Sequence, residues 1–366
     1  MVKRLVLVLL GTLLIVGIVP AAARDEQHGF WTCPEGLSGQ TLNVYNWTTY
    51  IAEDTISNFE ELCGVTVVYD TYASDSEMQE ALEQGNTAGY DVVVPTDSTV
   101  YVMVAENLFK ELNFDHIPNF SNVSPQLKNP PYDPNNKYTV PYQWGTIGIG
   151  YNKTKVGKTI TSWNDLFSYQ GSVAWLDDER AMLGVALRLL GYDPNTDNAD
   201  EVAKAAEYLK EHSSNLKVIA PDDGQDRLAK GEEDMVVEYS GDIFHLIADC
   251  KCNDFAYVIP QEGTRVWVDN MAIPVNAPHP DLAEAFIDYV LDSQVGADIS
   301  NFTAYASPNQ AAIDNGLIEQ GYLSNAAIYP DANVTKSLFY VVSSPELAPI
   351  FTQNWDALKA TLNRNP

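Results

Sequence analysis

A two-lobed α/β architecture is predicted by the order of segments along the chain. Three observations carry it. Short β-branched runs alternate with segments whose apolar residues fall at helical spacing, this alternation occurs in two passes, and extended stretches follow each pass. A chain of 366 residues is long enough for two domains of ordinary size.

In the first pass residues 42–45 form a strand. Ile56, Phe59 and Leu62 then fall on one helical face, with Gly64 able to end the helix. Residues 65–69 are β-branched and predict a second strand. Ser74 and Glu77 make a capping box ahead of Met78, Ala81 and Leu82, and Gly85 terminates that helix. Residues 90–95 make a third, very apolar strand stopped by Pro95. Strand-helix-strand-helix-strand order implies a parallel sheet covered on both faces.

Residues 129–137 are rich in Pro, Asn and Asp and read as turns. Residues 138–151 read as extended chain crossing into a second lobe. There the pattern returns: strands at 172–176, 216–220 and 235–239, and helices at 182–190 (ended by Gly191) and 201–210. Residues 267–274 form a return crossing, followed by an amphipathic helix at 281–291. The expected lobes are residues 40–140 with 270–310, and residues 141–269 with 311–366.

The N-terminus is separable from this body. Lys3 and Arg4 precede an apolar run at 5–19, then Pro20 and three alanines. A basic start, a short apolar core and a small-residue end predict a cleaved secretory signal peptide, residues 1–23. The run is shorter than the roughly 20 residues that span a bilayer. Export permits disulfides among Cys33, Cys63, Cys250 and Cys252, whose connectivity the sequence leaves open. Cys250-Lys251-Cys252 lacks the partners of a metal site, and no metal or cofactor is expected. The formal charge of −29, from 50 acidic and 21 basic residues, argues against nucleic acid and suits a cationic ligand.

No nucleophile elbow, His-Glu-x-x-His or phosphate-binding Gly-x-x-x-x-Gly-Lys occurs, and the five histidines are scattered, so catalysis is unmotivated. Aromatic and polar residues instead cluster at element ends: Tyr45-Asn46-Trp47-Thr48-Thr49-Tyr50, Thr96-Asp97-Ser98, Asp177-Asp178, Tyr239-Ser240-Gly241-Asp242 and Trp267-Val268-Asp269. All but the last follow strands, where the ligand crevice of a parallel α/β sheet lies. Singly, a Trp is more often packing and an Asp after a strand more often a helix cap. Together, ring faces and carboxylates suit a flexible apolar chain bearing amines.

These stretches, with Tyr90-Asp91-Val92-Val93-Val94-Pro95, Pro141-Tyr142-Gln143-Trp144-Gly145, Pro260-Gln261-Glu262-Gly263 and Tyr329-Pro330-Asp331-Ala332, resemble the spermidine/putrescine-binding proteins of bacterial ABC transporters. The resemblance runs from about Leu42 to the C-terminus. It implies a periplasmic-binding-protein fold with crossing hinge strands and a cleft between the lobes. It further implies a monomer in the periplasm that delivers putrescine or spermidine to membrane permease subunits. By position it assigns Trp47, Thr48, Tyr50 and Ser98 to the first lobe's side of the cleft, and Asp178, Tyr239 and Asp242 to the second lobe's. Trp267 would stack on the methylene chain, Asp269 would hold an ammonium near the hinge, and Tyr305 would close the site.

Three positions depart from the family pattern. Ala181 stands where a Glu is usual, Val341 where spermidine-type proteins carry a Gln, and Tyr239 where a Trp is usual. Asp242 and Ser98 fit the putrescine-type pattern better, and Glu179 or Asp97 could replace the missing carboxylate. The competing readings are a receptor for another organic cation or amino compound, and a secreted hydrolase using Asp178, Asp242 or Asp269 as acid or base. The hydrolase lacks an evident nucleophile or metal.

Overall fold

The computed structural model describes residues 31–362, except 73, 87, 343 and 345. The expected signal peptide lies outside these residues. The chain divides after Thr32, and the unit beginning at Cys33 carries everything that follows. Among the described residues no helix is long and apolar enough to cross a membrane.

Nine strands build one sheet: β1 (Thr41–Trp47), β2 (Thr66–Tyr72), β3 (Val92–Val93), β4 (Thr139–Asn152), β5 (Val173–Leu176), β6 (Leu216–Ala220), β7 (Met235–Tyr239), β8 (Phe255–Val258) and β9 (Val266–Ala272). The order is β2-β1-β3-β9-β4-β7-β5-β6, with β8 also on β4. β1 is parallel to β2 and β3, and β5 is parallel to β6 and β7. Between these parallel halves lies the antiparallel pair β4 and β9, paired from Thr139↔Ala272 to Thr146↔Val266 with a register shift between Pro141 and Gln143. β4 then runs on to pair with β7 from Ile147 to Tyr151. The two extended stretches read as crossings are therefore the strands that join the halves.

Position in the sheet explains strand composition. β5 is buried along its whole length, as a continuous Val-Ala-Trp-Leu run should be when helices cover both faces. β2 is an edge strand, mostly solvated, and carries Asp70 on its Thr-Val-Val-Tyr-Asp-Thr-Tyr sequence, which discourages pairing with another chain. β3 is shorter than the six-residue run 90–95 suggests. Before it, the Asp91 carboxylate accepts the backbone N–H of Asn43 at 2.9 Å and of His279 at 2.6 Å, while the Asp91 N–H donates to the Asn43 carbonyl at 2.7 Å, so a side chain takes over part of the ladder there. After it, Pro95 has no N–H to donate.

The helices follow their caps. The Thr55–Cys63 helix ends at Gly64, whose φ of 62° is left-handed. Ser74 accepts the Glu77 N–H at 3.2 Å and starts the Asp75–Glu83 helix. In the second half the Glu179–Leu189 and Ala199–Glu211 helices bury Leu183, Leu187, Val202 and Leu209 completely in a core shared with Trp163, Trp175 and Trp355. Sequence reading missed, among the longer elements, the Asp97–Ala105, Gly224–Lys230, Ser240–Cys250, Ser293–Thr303 and Ala348–Leu362 helices and β8. The first and third of these begin inside the polar clusters after β3 and β7, where ligand-like residues and helix starts share one composition. Both cysteine pairs are disulfides: Cys33–Cys63 and Cys250–Cys252.

Candidate functional site

Side chains alternate across a strand, so Arg265, Trp267 and Asp269 project to one face along the start and body of β9. Successive members stand about 6.6 Å apart at the usual rise per residue. Trp267 takes the middle. Its register partner on β4 is Gly145, and a Cβ there would sit 2.5 Å from the indole. The Tyr305 ring stands edge-on to Trp267 at 5.2 Å, and Tyr239 at 6.3 Å. A Cβ on Gly241 would collide with the Tyr305 ring. Two glycines of the sequence clusters are thus explained by close approach of a ring to backbone.

At one end lies Asp269, 6% exposed. It bridges in antiparallel fashion to Thr96, just past β3. The Tyr50 hydroxyl donates to its Oδ2 at 2.6 Å, while Oδ1 is buried and has no hydrogen-bond partner among the described residues. Burial drives the Asp269 carboxyl well above its ordinary pKa, with the Tyr50 hydrogen bond opposing and the charges of Asp75 and Asp97 adding. Tyr50 stands edge-on to Tyr142 at 5.4 Å and to Tyr305 at 5.6 Å. Trp47 is held nearby: its indole N–H donates to the Val94 carbonyl at 2.9 Å and its ring packs on Tyr72 at 4.6 Å.

At the other end lies Arg265. Its guanidinium pairs with Asp178, which follows β5, and lies 3.6 Å from Asp97, which follows β3. Burial lowers the Arg265 pKa, but Asp178 and Asp97 outweigh it and the net direction is up. Asp97 is fully buried, and burial pushes its carboxyl up to about 7 against the attraction of Arg265. Asp178 also accepts the Ala181 N–H at 2.8 Å as cap of the Glu179–Leu189 helix. Both of its oxygens are engaged.

A third group of acids stands beyond Tyr305. Carboxylate oxygens of Asp222, Glu238 and Asp242 all lie within 4.8 Å of one another. Burial, then Asp222, pushes Asp242 up to about 7, with the Tyr305 hydroxyl opposing. Glu238 is driven well above its usual range by burial and by Asp222.

The structure therefore gathers Tyr50, Asp269, Trp267, Tyr239 and Tyr305, with Asp242 against Tyr305 and Asp178 joined through Arg265. Ser98 bonds Thr96 at 3.1 Å, and Thr48 is exposed on the turn after β1. Glu179 accepts from the Thr352 hydroxyl at 2.8 Å and Asp97 faces Arg265, so both candidate replacements for the missing carboxylate have other partners. Sequence reading missed Arg265, Asp222 and Glu238. A signal existed for two of them: Arg265 extends the period-two set Trp267 and Asp269, and Glu238 is a lone acid in the apolar run Met235–Tyr239. A separate cavity of about 320 Å³, lined by Trp144, Val266, Tyr329 and Tyr340 among others, has no charged residue in its wall.

Comparison with known proteins agrees with this architecture. Residues 54–325 match the family described as bacterial extracellular solute-binding protein. The spermidine/putrescine-binding periplasmic protein of Escherichia coli K12 is 32% identical over 323 residues, covering 87% of this chain and 92% of that protein. The putrescine-binding periplasmic protein PotF of the same organism is 31% identical over 342 residues, with 88% and 92% covered. The structure of the spermidine/putrescine ABC transporter substrate-binding protein PotD from Streptococcus pneumoniae, in complex with calcium and HEPES, superposes with a TM-score of 0.82 at 30% identity, covering 88% of this chain and 99% of that one. With its two parallel half-sheets joined by crossing strands, this chain belongs to the bacterial extracellular solute-binding proteins of transporters, and is not an enzyme.

Proposed function

We propose that this chain is the periplasmic receptor of an ABC importer for polyamines and prefers putrescine to spermidine. The observation that carries this reading is the buried, unpartnered Oδ1 of Asp269 beside the Trp267 ring. A buried carboxylate oxygen without a donor is costly unless something supplies one. An ammonium does so with a charge-assisted hydrogen bond, and a ring face favours both it and the adjoining methylenes. The Asp242 group supplies a second acceptor beyond Tyr305. The names of the relatives favour the same ligand class.

In this reading residues 40–140 with 270–310 form one jaw and residues 141–269 with 311–366 the other, with β4 and β9 flexing between them. Trp47, Tyr50, Tyr239 and Tyr305 wall the cleft, and Thr48 and Ser98 lie on its first-jaw rim. The receptor acts as a monomer, exported by cleavage of residues 1–23, and delivers its ligand to membrane permease subunits. Calorimetric titration of the mature chain tests this. Putrescine should bind at micromolar concentration or tighter, spermidine at least about tenfold more weakly, and neither should be consumed. Failure of every polyamine to bind, or binding of an unrelated amine alone, would sink the reading.

A further inference from the structure

We propose that Arg265 is a built-in cation that fills one ammonium position of the cleft and so restricts the ligand to a diamine. The inference rests on the polyamine reading above and names the residue that sets the number of amines.

The geometry carries it. Arg265 stands on the same face of β9 as Trp267 and Asp269, about 13 Å along the strand from the Asp269 backbone at the usual rise. Its guanidinium spans Asp97 and Asp178, which follow strands of the two different half-sheets. A ligand ammonium placed there would make that same bridge, and the bridge is already made. The side chain is only 9% exposed, and its two carboxylate neighbours keep it charged. A second guanidinium, Arg180, is also close enough to be felt. Burial and then Arg265 lower its pKa to about 10, and it is fixed by the Val342 carbonyl at 3.0 Å and Asn195 at 2.8 Å. A third cation brought to this end would meet two positive groups, and the Asp97 carboxylate, though it accepts no hydrogen bond, already faces the Arg265 guanidinium at 3.6 Å.

The other acids are differently placed. Asp269 keeps one oxygen free of hydrogen bonds, and the Asp222, Glu238 and Asp242 group faces the far side of Tyr305. Those are two acceptors for ammonium groups, and a triamine would need a third. The guanidinium is also poorly placed to receive a ligand carboxylate, because two protein carboxylates already neutralise it.

Titration calorimetry with putrescine, spermidine and 4-aminobutyrate on the wild type, Arg265→Met and Arg265→Met/Asp97→Asn tests the proposal. The double variant leaves Asp178 as the single unpaired carboxylate at that end and guards against misfolding from two stranded acids. The wild type should favour putrescine over spermidine. That preference should fall by at least about tenfold in a folded Arg265 variant, chiefly through tighter spermidine binding. An unchanged ratio in folded variants would overturn the proposal while leaving polyamine reception intact. So would 4-aminobutyrate binding the wild type as well as putrescine and losing affinity in Arg265→Met, since Arg265 would then be an anion receptor. A wild type that binds no polyamine would overturn the underlying reading itself.

Discussion

The two ends of the row Arg265, Trp267 and Asp269 each hold an aspartate, one buried and one half-buried, and they differ in what is left over. Asp269 receives one hydroxyl, from Tyr50, and has an oxygen to spare. Asp178 receives a backbone N–H and a guanidinium and has none. Charge and a place beside the strand ends alone therefore do not mark a ligand contact. Unused acceptor capacity away from a protein cation does, because it gains most from an added donor; Asp97 also accepts no hydrogen bond but faces Arg265 at 3.6 Å.

The sharpest way to test that difference is Asp269→Asn. The substitution keeps the shape and an oxygen for the Tyr50 hydroxyl, and removes the charge that an ammonium needs. Truncating one partner of a buried charge pair costs about 2–5 kcal/mol, so putrescine affinity should fall between about thirtyfold and several thousandfold. The free protein should melt at nearly the same temperature, because burial already favours the neutral acid at this position. Unchanged affinity in calorimetry would remove Asp269 from the site. A large loss of melting temperature would make it a structural acid instead.

Much of this arrangement was legible in the sequence, for physical reasons. The buried parallel strands announce themselves as apolar runs, and both crossings as extended chain without helical spacing. Trp267 and Asp269 stood out because a polar residue inside an apolar strand needs a reason. What could not be read is which acid meets which cation. Asp178 and Arg265 lie 87 positions apart, and their pairing depends on the crossing strand bringing Arg265 under the ends of β3 and β5. From its place after a strand Asp178 reads as a helix cap or a ligand contact. It caps a helix and also holds an arginine, a combination that strand-end composition cannot separate from ligand binding. The neglected clue was the period-two continuation from Asp269 through Trp267 to Arg265.

A second test uses pH. Asp97 and Asp242 are pushed up to about 7, and burial drives Asp269 well above its ordinary range as well. At neutral pH the free site therefore holds protons at Asp242 and Asp269 that a bound ammonium displaces, whereas Asp97 faces Arg265. Putrescine affinity should rise between about pH 6 and 8, by up to about tenfold per unit for each proton released. Stability of the free protein should move the other way. A carboxyl whose folded pKa lies above its unfolded value stabilises most below that lower value, and the contribution is lost as pH rises through the folded one. Melting of the free protein should thus fall from about pH 4 to above 7 as the raised acids ionise. The thermal shift given by putrescine should grow over pH 6–8. Titrations in two buffers of different ionisation enthalpy would count the protons. Proton uptake, or none, would mean that the acids are ionised before ligand arrives.

The smallest expected effect on binding belongs to Asp178→Asn. If both Asp178 oxygens are committed within the protein, removing the charge takes nothing from a diamine at the other end. Putrescine affinity should stay within about threefold, less than 0.7 kcal/mol. The free protein should nevertheless lose stability, by about 1.5–3 kcal/mol, the worth of a hydrogen bond to a charged group. Asp97 limits that loss: it remains beside Arg265, and losing the neighbouring negative charge eases its ionisation. The helix cap survives in part, since Asn is also a good N-cap. A loss of affinity comparable to that of Asp269→Asn would mean that Asp178 reaches the ligand and that the two ends are alike. Combining Asp178→Asn with Arg265→Met separates the cases further. The gain in spermidine binding expected from Arg265→Met should shrink in the combination, because removing the arginine frees Asp97 and Asp178 and the Asp178 change takes away one of those two carboxylates.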